Sequence, residues 1–194
     1  MPLKHLLRRV RACTICEADL PLGARPVLQV AASARLLILS QAPGRRVHET
    51  GVPWNDASGE RLRDWMAIDR STFYDDERVA ILPVGLCYPG SAPSGGDNPP
   101  RRECARLWHG LLFPHLSAVE HTLLVGQHAP RFQLGPACKD SMTDTVRSFR
   151  QYSPRFTPLP HPSWRSVAWM RKHTWFEATV IPELRRIVSA TTRR

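Results

Sequence analysis

Apolar positions along the chain follow two rhythms. Leu3, Leu6, Leu7 and Val10 recur at i, i+3, i+4 and i+7, which predicts a short amphipathic helix with Arg8, Arg9 and Arg11 on its polar face. Unbroken apolar runs mark buried strands instead: Arg35-Leu-Leu-Ile-Leu39, Val79-Ala-Ile-Leu-Pro-Val84, His121-Thr-Leu-Leu-Val125 and the weaker Phe156-Thr-Pro-Leu159. Helical spacing returns between them. Leu62, Trp65 and Met66 stripe a helix that Asp56 or Ser58 can cap, and Cys104, Leu107, Trp108 and Leu111 stripe another from about Arg102 to Phe113. A short helix follows near 127–133. Thr174-Trp-Phe-Glu177 reads as a capping box opening a C-terminal helix with Phe176, Val180, Ile181, Leu184 and Val188 inside, which Pro182 should kink or restart. Strands alternating with helices predict an α/β sandwich around a mostly parallel sheet.

Between these elements, Pro21, Gly23 and Pro26 make residues 17–34 an extended crossing segment, and the composition of residues 89–100 predicts a flexible loop. The end of the chain, residues 189–194, is expected to be disordered. The 194 residues form one domain, long enough to bury a sizeable core. No apolar run reaches membrane-spanning length and the N-terminus lacks a signal-peptide core, so a cytoplasmic location and no membrane partner are expected. A monomer is expected.

Charge sharpens the picture. The formal net charge is +10 and the sequence pI is about 10.3, which points either to a polyanionic partner, nucleic acid first, or to a merely basic solvated surface. Five cysteines in a cytoplasmic chain argue against disulfides. Cys13-x2-Cys16, with Cys87 and Cys104 separated by sixteen residues, can hold a [4Fe–4S] cluster or a structural zinc; a chance scatter is the plain alternative. Cys138 stands apart and reads as a buried small hydrophobe.

The densest chemistry follows the first strand, in Ser40-Gln41-Ala42-Pro43-Gly44 and on to Asp56. Ligands of open α/β sheets bind outside the carboxyl ends of the strands. Gln41 can orient water or a base edge, and Trp54 offers a face for stacking a base or for packing the core. Arg45 and Arg46 can hold phosphates or form a solvated turn, and Glu49 and Asp56 can position water or act as caps. His161, fixed between Pro160 and Pro162, can donate a hydrogen bond to an anion developing on a leaving group, or serve a turn. From Ser163 to Trp175, tryptophans alternate with basic residues, as on a surface that stacks bases and neutralises phosphates.

These residues together resemble the uracil-DNA glycosylase superfamily, most of all its family 4 iron–sulfur enzymes. Ser40-Gln-Ala-Pro-Gly44 with Gly51-Val-Pro-Trp-Asn55 is similar to that family's first motif, and Leu159-Pro-His-Pro-Ser163 to its second. Cys13, Cys16, Cys87 and Cys104 fall in the order of the family's cluster ligands. The resemblance covers about residues 10–185. It implies a three-layer α/β/α sandwich around a four-stranded sheet, and a base flipped out of DNA into a pocket between the motif loops. It implies that Gln41, Asp56 and His161 occupy the catalytic positions. Ala42, Pro43, Gly44, Arg45, Trp54, Asn55, Ser163 and Arg165 would contact the base or the DNA, with Trp54 stacking on the base. The cluster would be structural, with zinc or an empty site as alternatives. Two departures stand out: Gln41 replaces the family's catalytic Glu, and Pro83 takes the place of the expected uracil-reading Asn. The expected activity is hydrolysis of the N-glycosidic bond of uracil or another deaminated base in DNA. The rivals are a DNA-binding protein without catalysis and a hydrolase of free nucleosides or nucleotides.

Overall fold

The computed structural model describes residues 1–93 and 95–193. Each of the apolar runs forms a strand: β1 (Leu36–Ser40), β2 (Val79–Pro83), β3 (His121–Val125) and β4 (Phe156–Leu159). They pair in parallel in the order β2-β1-β3-β4, giving one four-stranded sheet. The register places Ser40 beside Pro83, so β1 and β2 end level at one edge.

Successive side chains of a strand point to opposite faces, and the two faces bury separate cores. Leu36, Ile38, Val79, Ile81, Leu123 and Val125 face one side. There they meet Leu62, Trp65 and Met66 of the helix Ala57–Met66 and Phe176, Leu184 and Val188 from the end of the chain. Leu37, Leu39, Ala80, Leu82 and Leu124 face the other side. Leu6, Leu7 and Val10 of the N-terminal helix Leu3–Arg11 cover them, with Trp108 and Leu112. The result is the expected three-layer α/β/α sandwich. The crossing segment before β1 is only partly extended: Glu17–Asp19 form a 3₁₀ turn and further turns follow, and Gln29 exchanges two backbone hydrogen bonds with Ile81, covering the free edge of β2.

Several local expectations are corrected. The 102–113 helix exists, but it runs from Arg102 to His115 and widens into a π turn at Ala105–His109. The C-terminal helix also opens with a π turn, Phe176–Val180, before α-helix Ile181–Thr192. Pro182 has no N–H, and the wide turn absorbs the lost bond, so proline restarts the helix. The capping box is not made: the helix start carries no side-chain cap, and Thr174 accepts from the Ala178 N–H through its carbonyl. The end of the chain is ordered helix through Thr192. Thr191 and Thr192 are buried and bond back to the carbonyls of Ile187 and Val188; Arg194 lies outside the described residues. Cys138 is only half-buried, with its Sγ 3.6 Å from the Thr145 hydroxyl.

Apart from residue 94, which lies outside the described residues, the loop expected at 89–100 to be flexible is a compact hairpin. Ser91 and Asp97 form an antiparallel bridge, and the Ala92 N–H donates to the Gly96 carbonyl. The Asn98 side-chain amide donates to Pro89 at 3.1 Å, and the Tyr88 and Ser91 hydroxyls lie 2.7 Å apart. These bonds substitute for the apolar burial that the composition lacks. No helix among the described residues is long and apolar enough to cross a membrane.

Candidate active site

The carboxyl ends of the parallel strands open into a cavity of about 520 Å³. Three loops enclose it: the one after β1, the one after β4, and the 88–98 hairpin after β2. The loop after β1 is tied to β2 beyond the strand, since Val84 N–H donates to Ser40 and Gly85 N–H to Gln41, each at 2.8 Å. That pairing places Gln41 at the strand edge.

Gly126 ends β3 with φ +82°, and a Cβ there would stand 3.3 Å from Gln41 Oε1 and 3.6 Å from His161 Cδ2. Gln41 and His161 therefore both approach the space left by a residue that has no side chain. The sequence shows this glycine only as a turn; its role comes from the contacts.

His161 is held by its neighbours. Arg61 donates to the Pro162 carbonyl at 2.8 Å, which fastens the post-β4 loop to the helix Ala57–Met66. The imidazole lies against Trp54, with ring centroids 5.7 Å apart and planes tilted by 30°. Burial lowers its pKa, and the charge of Asp56 only partly opposes this. Near neutral pH the ring is thus uncharged and carries a single N–H.

Trp54 both lines the cavity and packs in the core, so the stacking and packing readings of the sequence coexist. Its φ is +55°, a left-handed backbone that a bulky residue adopts only under constraint. Arg63, buried beneath Phe73 and Tyr74, donates to the Trp54 carbonyl at 3.3 Å, and the Tyr74 hydroxyl donates to Pro53 at 3.0 Å. Asp56 caps the following helix, accepting from the Gly59 N–H at 2.8 Å through one carboxylate oxygen.

Of the residues expected at the site, Gln41, Ala42, Pro43, Gly44, Trp54, Asp56, Ser163 and Arg165 line this cavity with His161. Arg45 and Asn55 do not. A helix begins at Arg45, which turns its side chain away to pair with Glu49 at 2.9 Å on the exposed face, while Asn55 accepts from Arg70. The aromatic–basic stretch after Ser163 divides. Trp164 is 74% exposed beneath the Arg165 guanidinium, whereas Trp169 and Trp175 pack around Phe176. The cavity also contains Asp97 and Asn98 of the hairpin and Gln127 and His128 beyond β3, which sequence reasoning missed. Asp97-Asn98 in a Pro/Gly-rich stretch gave no signal above that of a turn.

A second cavity is lined by Cys13, Cys16, Cys87 and Cys104 together. Burial raises the pKa of Cys16, Cys104 and Cys87, the last to about 12, and the thiols raise one another. The Leu86 N–H points at Cys104 Sγ from 3.5 Å, and Arg101 hydrogen-bonds to Cys16. Trp108 lines the same space, and its buried indole N–H has no partner among the described residues. Such a set is costly to ionise alone and suits a cationic group with soft ligands. Among the described residues, no three His, Cys, Asp or Glu side chains are arranged to hold a single metal ion.

The helical run that carries Cys104 also carries His109, whose buried ring lies 3.0 Å from the Pro83 carbonyl. Burial brings the His109 pKa down to about 4, so the ring is neutral and donates to that carbonyl. It thereby supports the cavity wall at Pro83. Compared with known protein families, residues 28–185 match the model described as Uracil DNA glycosylase superfamily.

Proposed function

The chain belongs to the uracil DNA glycosylase superfamily, and on that footing we propose that it hydrolyses the N-glycosidic bond of uracil or another deaminated base flipped out of DNA. The observation that carries this reading is the convergence of Gln41 and His161 at Gly126 in a cavity walled by Trp54. The flipped base stacks on Trp54. As the bond from C1′ to the base nitrogen breaks, its electron pair moves onto the base, and the His161 N–H donates to the oxygen where charge collects. Water adds to C1′ and gives up a proton that the departing base anion takes up, leaving an abasic sugar and the neutral free base. Gln41 orients that water through its amide oxygen, and the free oxygen of the Asp56 carboxylate faces the developing positive charge on the sugar. Ser163 and Arg165 hold the backbone, and the net charge of +10 supplies the long-range attraction.

We further propose the family 4 iron–sulfur subtype, with Cys13, Cys16, Cys87 and Cys104 holding a structural [4Fe–4S] cluster. Bound there, it would cross-link the chain before the sheet to the segment after β2 and to the start of the following helix. Anaerobically prepared protein should be brown and contain about four iron and four sulfide per chain. A colourless protein with one zinc per chain would refute the cluster.

Gln41 is neutral where a carboxylate would activate water, and this favours a second reading, binding without cleavage. A cleavage assay on oligonucleotides containing uracil, hypoxanthine or xanthine separates the two, with wild type and Gln41→Glu side by side. The expected result is abasic product from wild type. Gln41→Glu should release uracil faster by about tenfold or more, because it adds a general base at the same atom position. Salt-sensitive DNA binding with no product from either protein would establish the second reading.

A further inference from the structure

Position 83 offers the base no polar group, because proline stands there and its carbonyl is taken by His109. Some other group must then read the edge of the base, and the cavity wall limits the choices. Asn98 spends only its amide N–H on Pro89 and keeps a single neutral Oδ1 as acceptor, and Gln127 turns its amide N–H toward His128 at 3.4 Å. Asp56 uses one oxygen as a helix cap. Asp97 differs from all of these: its carboxyl group makes no hydrogen bond among the described residues.

The geometry aims it inward. Asp97 Oδ2 lies 3.5 Å from where a Cβ would stand on Gly44, in the turn that carries Gln41. Its backbone is fixed by the bridge to Ser91 and by the Asn98 N–H bond to Gly90. The hairpin tip meets the post-β4 loop, since Arg165 Nη1 stands 3.2 Å from the Cβ position of Gly96. Asp97 is therefore a rigidly held, unpartnered acceptor at the cavity mouth. Although the residue is solvent-exposed, desolvation by the cavity wall and the nearby Asp56 carboxylate hold its pKa above the ordinary aspartate value.

We propose that Asp97 is the specificity-determining residue, accepting the ring N–H that a deaminated base carries on its pairing edge. Uracil, hypoxanthine and xanthine all present that N–H. Cytosine and adenine present a bare nitrogen lone pair at the corresponding ring position, which a carboxylate repels. One acceptor thus separates uracil from cytosine and hypoxanthine from adenine; guanine and thymine carry the same ring N–H, so this contact alone does not exclude them. The inference rests on the glycosylase reading, which the same experiment tests separately.

The experiment measures single-turnover release of each of the three bases by wild type, Asp97→Ala and Asp97→Asn. It also measures equilibrium binding to an oligonucleotide with a stable abasic analogue, which has no base to read. Asp97→Ala should lose about 10- to 100-fold in release of all three bases, the scale of one good polar base contact. Its affinity for the abasic analogue should stay within about twofold of wild type, because phosphate contacts dominate that affinity. Asp97→Asn keeps an acceptor oxygen and should recover most of the loss. Release by Asp97→Ala at the wild-type rate would overturn the proposal. So would an equal loss of abasic-site binding, or Asp97→Asn behaving like Asp97→Ala. If wild type releases none of the three bases, the glycosylase reading itself fails, and this inference with it.

Discussion

His161→Ala is expected to slow base release by about 10²- to 10³-fold, the cost of removing one preorganised donor to a developing oxyanion. The size follows from how firmly the ring is placed. Its loop is locked by the Arg61 bond to Pro162, and the ring rests on Trp54. Burial keeps it neutral, so its N–H is available without the cost of holding a charge in the protein. Affinity for an oligonucleotide with an abasic analogue should change by less than about threefold, because DNA backbone contacts lie elsewhere. His161→Gln retains an N–H donor and should lie between wild type and the alanine variant. If His161→Ala releases uracil as fast as wild type, the ring serves only the turn, and the proposed mechanism is wrong. If His161→Gln and His161→Ala are equally impaired while both stay folded, the imidazole acts by packing on Trp54 and not by donation.

The strands were legible because a parallel sheet is buried on both faces, and β1, β2 and β3 leave no polar alternation to mistake. Their order was not, since nothing in Leu36–Ser40 says that β2 and β3 lie on either side of it. Gln41 and His161 could be singled out because Pro43 and Gly44 follow the first and Pro160 and Pro162 bracket the second, and the motif order supplied the rest. The contacts that make them one site were hidden. Gly126 is one glycine among 11 in the chain, and only its contact with both residues marks it. Asp97 was missed because a Pro/Gly/Ser-rich run reads as mobile when its order comes from backbone bonds rather than from apolar burial. The helical end of the chain was missed for a related reason. Thr191 and Thr192 look like a polar tail, but their hydroxyls bond back to the helix and let them be buried. Arg45 misled in the opposite direction, because a charged residue next to a motif points wherever the helix it begins sends it.

The largest expected effect on the fold falls on Gly59, in the first turn of the helix Ala57–Met66. Gly→Ala in a helix ordinarily stabilises, by up to about 1 kcal/mol. Here a Cβ would stand 1.8 Å from the Trp54 carbonyl oxygen and 2.9 Å from the Trp54 Cβ. A backbone oxygen at that distance cannot rotate away as a flexible side chain would. Either the helix start withdraws, losing the Asp56 cap on the Gly59 N–H, or the Pro53–Trp54 backbone leaves Arg63 and Tyr74. Overpacking plus a lost cap amounts to about 3 kcal/mol. That overwhelms the propensity gain and should lower Tm by about 6–12 °C. Gly110→Ala supplies the contrast. That glycine is helical and exposed, a Cβ there meets nothing within 4 Å, and the same substitution should raise Tm slightly. Thermal denaturation of the two variants beside wild type decides the matter, and a Gly59→Ala Tm at or above wild type would refute the argument. Activity should follow for a stated reason. Trp54 is held in its left-handed backbone by the packing that Gly59 permits, and His161 rests on Trp54. Gly59→Ala should therefore impair base release even at temperatures where the protein remains folded, whereas Gly110→Ala should leave it unchanged.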